Sequence, residues 1–147
     1  NLDQIQPIVA RAAELGCGVN FSVYTDFKNG NTDQLLTESQ HAEVEALVAG
    51  LLAFKRRRRG IITNSDHYLE QLPRYTRGEM SEACESGMST IHIDPAGGVR
   101  RCPDFPVDFH WKDWRRYTPI DCNRCYYACR GEAQAPLRLD RIRDVMA

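Results

Sequence analysis

Five of the six cysteines lie between Cys84 and Cys129, and their spacing constrains the second half of the chain more than any other feature. Cys84 and Cys102 enclose CESGMSTIHIDPAGGVRRC, in which Ile91 and Ile93 alternate with Thr90, His92 and Asp94, the period of a half-buried strand. A turn follows at Pro95, Gly97 and Gly98, where proline presets φ and the glycines accept positive φ. The return through Val99, Arg100 and Arg101 then runs antiparallel and carries Cys102 back toward Cys84. Cys122, Cys125 and Cys129 stand three and four residues apart, which predicts one helical turn with all three thiols on one face. Two groups of thiols directed at one point are what a metal centre requires.

The chain has 147 residues, enough for one domain of ordinary size, or one and a fraction, with a sizeable core. Its 19 lysines and arginines nearly cancel 20 aspartates and glutamates, so no global field marks a nucleic-acid or membrane partner. No apolar run approaches the roughly 20 residues that cross a bilayer, and no signal peptide is evident, so the expectation is a soluble, cytoplasmic protein. Disulfide frameworks belong to small domains with poor cores, and the long amphipathic segments here argue against one. The run Arg56 to Arg59 complements the dipole at a helix C-terminus rather than forming a nucleic-acid patch. Asn1 opens directly on a helical pattern, with no initiator methionine, which suggests a piece of a longer chain.

Leu2, Ile5, Ile8, Val9, Ala12 and Ala13 recur at helical spacing up to Gly16, with Pro7 placing the regular start near Gln6. Val19 to Tyr24 reads as a strand, and Thr25 to Asp33 as a loop with a turn at Asn29-Gly30. Thr37 and Gln40 form a capping box before a long helix whose apolar stripe is Val44, Leu47, Val48, Leu51 and Leu52. Ile61 to Asn64 reads as a second strand, and Ser65 or Asp66 caps a third helix reaching about Tyr75, disturbed by Pro73. Two strands joined by a long amphipathic helix predict a parallel β-α-β unit. Such a pair cannot cover both its faces, so this half expects further strands from elsewhere. Residues 103–120 read as an ordered loop with one helical turn near Trp111 to Arg115, and Leu137, Leu139, Ile142, Val145 and Met146 as a short closing helix after Pro136.

The residues leave three uses for the cysteines: a Cys₄ zinc site, an iron–sulfur cluster, or buried structural thiols. Spacing alone does not separate zinc from iron, and Cys17, apart from the rest, reads as a packed thiol. The run from Cys84 to Cys102, with Ile-x-Ile-x-Pro, Gly-x-Val and a closing Cys-Pro, followed by CxxC, resembles the auxiliary-cluster (SPASM or twitch) domain of radical S-adenosylmethionine enzymes. The resemblance implies that Cys84 and Cys102 pair across a hairpin, that Cys122 and Cys125 supply the later ligands, and that Cys129 is a further candidate. It implies a 4Fe-4S auxiliary cluster, in the one-cluster twitch form. The preceding helix, strand, helix, strand, helix order is similar to the end of the partial (β/α)₆ TIM-like barrel of these enzymes. The expected organisation is thus the barrel's C-terminal part over residues 1–78 and a small α+β cluster domain over 79–147.

The family's CxxxCxxC loop, which holds the cluster that reduces S-adenosylmethionine, does not occur in this sequence. The resemblance therefore implies the C-terminal part of an oxidoreductase that is inactive alone, with the N-terminal part of the same enzyme and a small-molecule or peptide substrate as partners. By the same resemblance Tyr24, Thr25, Asp26, Lys28 and Asn29 after the first strand, and Asn64 and Ser65 after the second, line the mouth that holds S-adenosylmethionine and substrate. Tyr24, Thr25, Asn64 and Ser65 are the expected cofactor contacts. The alternative of another class is a zinc-stabilised binding module without catalytic activity.

Overall fold

A computed structural model describes residues 1–113, 118, 120–139 and 142. The first half is three helices, α1 (Leu2–Leu15), α2 (His41–Arg57) and α3 (Asp66–Thr76), around two extended segments. Helix α1 begins at Leu2 rather than near Gln6 and carries Pro7 inside it. Leu2 and Ile5, ahead of the proline, pack on the core, so tertiary burial holds the first turn despite the missing N–H. Gly16 ends the helix in the left-handed conformation at φ 65°.

The two extended segments run parallel, but they meet at one bridge, Val19 to Ile62, rather than as two full strands. The Val19 N–H donates to Ile61 O at 2.7 Å and the Thr63 N–H to Val19 O at 2.9 Å. Beyond that the ladder is continued by a side chain. Asn64 Oδ1 accepts from the Phe21 N–H at 2.6 Å, and its Nδ2 donates to Phe21 O at 3.0 Å. The main chain meanwhile turns into α3, whose first turn is capped by Ser65 Oγ accepting from the Tyr68 N–H. Lys55, a buried cation on the α2 stripe, fixes that turn by donating to Asn64 O and Asp66 Oδ1, both at 2.8 Å. Asn64→Ala is expected to destabilise the fold by about 2–3 kcal/mol, because two backbone groups of Phe21 lose their partner. Urea unfolding measures this.

The expected capping box sits on a 3-10 turn (Glu38–Gln40) leading into α2, with the Thr37 N–H donating to Gln40 Oε1 at 3.0 Å. Helix α2 buries Val44, Val48, Leu51 and Lys55, while Arg56 to Arg59 lie exposed at its end. The core joins Val9, Val44, Val48, Leu51, Ile62, Tyr68, Leu69 and Tyr126.

Tyr126 comes from the cysteine segment, so the two halves share this core. Its ring stacks on Tyr68 at 4.9 Å and 7°, and on Tyr75 at 5.7 Å. The Tyr68 hydroxyl donates to Tyr126 O at 3.0 Å. Gly131 seats this stack: a Cβ there would meet both rings, Tyr126 Cζ at 2.8 Å.

The second half holds a three-stranded antiparallel sheet, β1 (His92–Ile93), β2 (Gly98–Arg100) and β3 (Phe109–His110), in the order β1-β2-β3. The hairpin pairs His92 with Arg100 and Ile93 with Val99. Its turn is tied by Asp94, whose Oδ1 accepts from the N–H groups of Ala96 and Gly98, and Gly97 takes φ 87°. Val99 is buried, but Ile93 is exposed, so the expected apolar face is carried by β2 alone. Strand β3 lies in the expected loop, and a 3-10 turn (Trp111–Asp113) follows it. Residues 114–117 of the expected helical turn, and most of the expected closing helix (140, 141 and 143–147), lie outside the described residues.

Candidate metal centre

Backbone pairing brings the cysteine segments together. The Cys84 N–H donates to Cys122 O at 3.1 Å, and the Ile120 N–H donates to Ser86 O at 3.3 Å, so residues 84–86 run beside 120–122. The hairpin returns Cys102 to the same place. Cys84 and Cys102, at 5% and 7% exposure, pack with buried Ile120, and Cys122 and Phe105 pack against them.

Cys122 and Cys125 precede α4 (Ala128–Ala133), so the three later thiols do not share one helical face. They reach the site along an irregular turn, in which Arg130 binds the Cys125 carbonyl that a longer helix would have used. Its buried guanidinium donates from Nη1 to Cys125 O at 2.6 Å, from Nη2 to Glu82 O and to Asn123 Oδ1 at 2.7 Å, and from Nε to Gln134 Oε1 at 3.2 Å. All these acceptors are neutral. One side chain thus ties the residues around Cys84 to those around Cys125.

Burial pushes the Cys125 thiol up to about 11, and the charges of Cys84, Cys102 and Cys129 add to the effect. Burial likewise raises Cys102, to which Cys129 and Cys84 contribute, and raises Cys129, to which Cys84 contributes. Cys84, Cys102, Cys125 and Cys129 therefore lie within electrostatic reach of one another, with Cys122 packed at their edge. All six cysteines are free thiols, and Cys17 is exposed on its own beyond α1. Among the described residues no group of three or more histidine, cysteine, aspartate or glutamate side chains is placed to hold a metal ion.

Of the expected cofactor contacts, three face inward. Thr25 Oγ1 donates to Arg124 O at 3.2 Å and accepts from the Phe27 N–H, Asn64 completes the ladder, and Ser65 caps α3. Their hydrogen-bonding capacity is used by the fold, which sequence position at a strand end does not reveal. Tyr24 alone is exposed, its hydroxyl near Asn29 Oδ1 and Asn31 O at 3.3 and 3.0 Å. It lines an apolar cavity of about 430 Å³ with Phe21, Leu36, Val44, Leu72 and Tyr75.

Tyr75, which the sequence did not single out, links this cavity to the cysteines. Its ring stacks on Tyr126, and its hydroxyl donates to Arg124 O at 3.3 Å, one residue from Cys125. Burial raises its pKa, with the charge of Cys125 among the contributions. Across the other side, the turn Asp26–Lys28 docks on the cysteine segment, with the Arg124 guanidinium 4.3 Å from the Phe27 ring centre and Phe27 6.3 Å from Phe105. No protein-family model, curated protein or solved structure matches the chain. Among the described residues no helix is long and apolar enough to cross a membrane.

Proposed function

We propose that this chain is the C-terminal part of a radical S-adenosylmethionine enzyme, in which an auxiliary 4Fe-4S cluster is held beside the substrate pocket. The observation that carries the reading is that four free thiols from two stretches of chain, the buried Cys84, Cys102 and Cys125 and the half-buried Cys129, lie within electrostatic reach of one another. Supporting it, a helix and two parallel extended segments precede the cysteines, as at the end of the family's partial barrel. The cluster supplies an electron path or a binding point for substrate. The chain's own residues would position it: Arg130 ties both cysteine stretches, and Tyr75 lines the cavity while its hydroxyl donates to Arg124 O beside Cys125.

In this reading the cavity by Tyr24 belongs to the space shared with the N-terminal part and its S-adenosylmethionine. The apolar lining favours an apolar portion of the substrate there. Cys122, packed at the edge of the thiol group, is a reserve ligand. The test is anaerobic reconstitution with ferrous iron and sulfide: brown protein with iron and sulfide in equal amounts is expected. Protein that stays colourless and instead takes up one zinc ion would replace this reading with a zinc-stabilised module.

A further inference from the structure

Cys122 is the one thiol beside the group that has no iron to bind in the reading above, and the backbone sets its place. The Cys84 N–H donates to Cys122 O at 3.1 Å and the Ile120 N–H to Ser86 O at 3.3 Å. The two short stretches therefore run antiparallel, with Cys84 opposite Cys122 and Ser86 opposite Ile120. Burial follows that register. Cys84, Ser86 and Ile120 are buried and Cys122 is half-buried, while Glu85 and Asp121 between them are exposed, so residues 84, 86, 120 and 122 share the inner face. The packing agrees, with Cys122 set against the buried group of Cys84, Cys102 and Ile120. The Ser86 N–H donates to Cys84 Sγ at 3.4 Å, which holds that sulfur in place.

Opposed residues joined by a backbone hydrogen bond across antiparallel strands stand about 5.5 Å apart at Cα. A disulfide spans about 4.4–6.8 Å between the same atoms. Cys102 packs on the same group but lies beyond β2, outside the register that opposes residues 84–86 to 120–122.

We propose that Cys84 and Cys122 are a disulfide-forming pair, a thiol-oxidation site whose oxidant is a hydroperoxide. The half-buried Cys122 thiolate attacks one peroxide oxygen, the O–O bond breaks, the other oxygen leaves as water or alcohol, and Cys122 becomes a sulfenic acid. The Cys84 sulfur then attacks the Cys122 sulfur, the S–O bond breaks, and water leaves with the thiol proton. Two thiols lose two electrons and one peroxide is reduced. The consequence rests on the cluster reading above: Cys84 held in a disulfide cannot bind iron, so oxidation and cluster loading exclude each other.

The test treats the reduced, metal-free whole chain with hydrogen peroxide, blocks the remaining thiols with iodoacetamide and maps linked peptides by mass spectrometry. A Cys84–Cys122 link that dithiothreitol reverses is expected, with a higher melting temperature than the reduced chain. Cys122→Ser should leave Cys84 open to alkylation after the same treatment. Should that variant not fold, the peptide map of the parent decides alone. The oxidised parent should also take up ferrous iron and sulfide more slowly than the reduced parent, and dithiothreitol should restore the rate. A parent in which Cys84 stays open to alkylation, or links to Cys102 instead, overturns the pair and leaves the cluster standing. A Cys84–Cys122 link in a chain whose reduced form takes up neither iron nor sulfide upholds the pair and overturns the cluster.

Discussion

Cys84→Ala and Cys102→Ala are each expected to bring iron uptake on reconstitution down to background, while Cys17→Ala keeps it in full. The first two thiols are buried together and come from opposite ends of the hairpin segment, whereas Cys17 is exposed beyond α1. Cys125→Ala and Cys129→Ala should behave like the first pair, because their thiols belong to the same electrostatic group. Cys122→Ala should retain cluster, since it joins the group by its backbone carbonyl and by packing. Binding only the folded state stabilises it, by about 4 kcal/mol when the ligand is a thousandfold above its dissociation constant. The ligand variants should therefore lose the iron-dependent rise in melting temperature as well as the colour. Iron and sulfide analysis with parallel melting curves decides it; full cluster in Cys84→Ala or Cys102→Ala would sink the assignment.

Arg130→Met should be the most damaging substitution away from the thiols, costing about 1–3 kcal/mol for each buried acceptor that it leaves without a donor. The guanidinium is buried and satisfies four oxygens, and its removal strands the carbonyls of Glu82 and Cys125 and the amide of Asn123. Arg130→Lys should recover only part of this, because one ammonium cannot span the fork. Denaturant midpoints measure the loss. The metal-free and reconstituted proteins should both show it, and iron should be released faster from the variant. A midpoint shift under 1 kcal/mol, on the order of a surface substitution, would show that the carbonyls find water instead.

The parts of the structure that could be read from sequence are those encoded by short-range rules. The stripe of α2, the Thr37 to Gln40 box, the Ser65 cap and the Asp94 to Gly97 turn each depend on residues within a few positions of one another. The hairpin followed from its turn chemistry. What escaped was non-local or exceptional. Strand β3 is two residues long, between prolines and a 3-10 turn, too short for any period to register. The extended pairing looked longer from its β-formers than it is, because Asn64 substitutes a side chain for the next rung. The equal face expected for Cys122, Cys125 and Cys129 assumed a helix that starts only at Ala128. Arg130 and Tyr75 gave no local signal, since what marks them is packing against partners dozens of residues away.

Tyr126 gives the chain a property that a boundary at residue 78 would not suggest. The cysteine segment supplies a stacked ring to the core of the first half, and Gly131 keeps the room for it. Such a segment cannot be transplanted as a cassette. A recombinant exchange at the linker would have to carry Tyr68, Tyr75, Tyr126 and Gly131 together, so the divergence of the metal-binding end is tied to that of the helices beneath it.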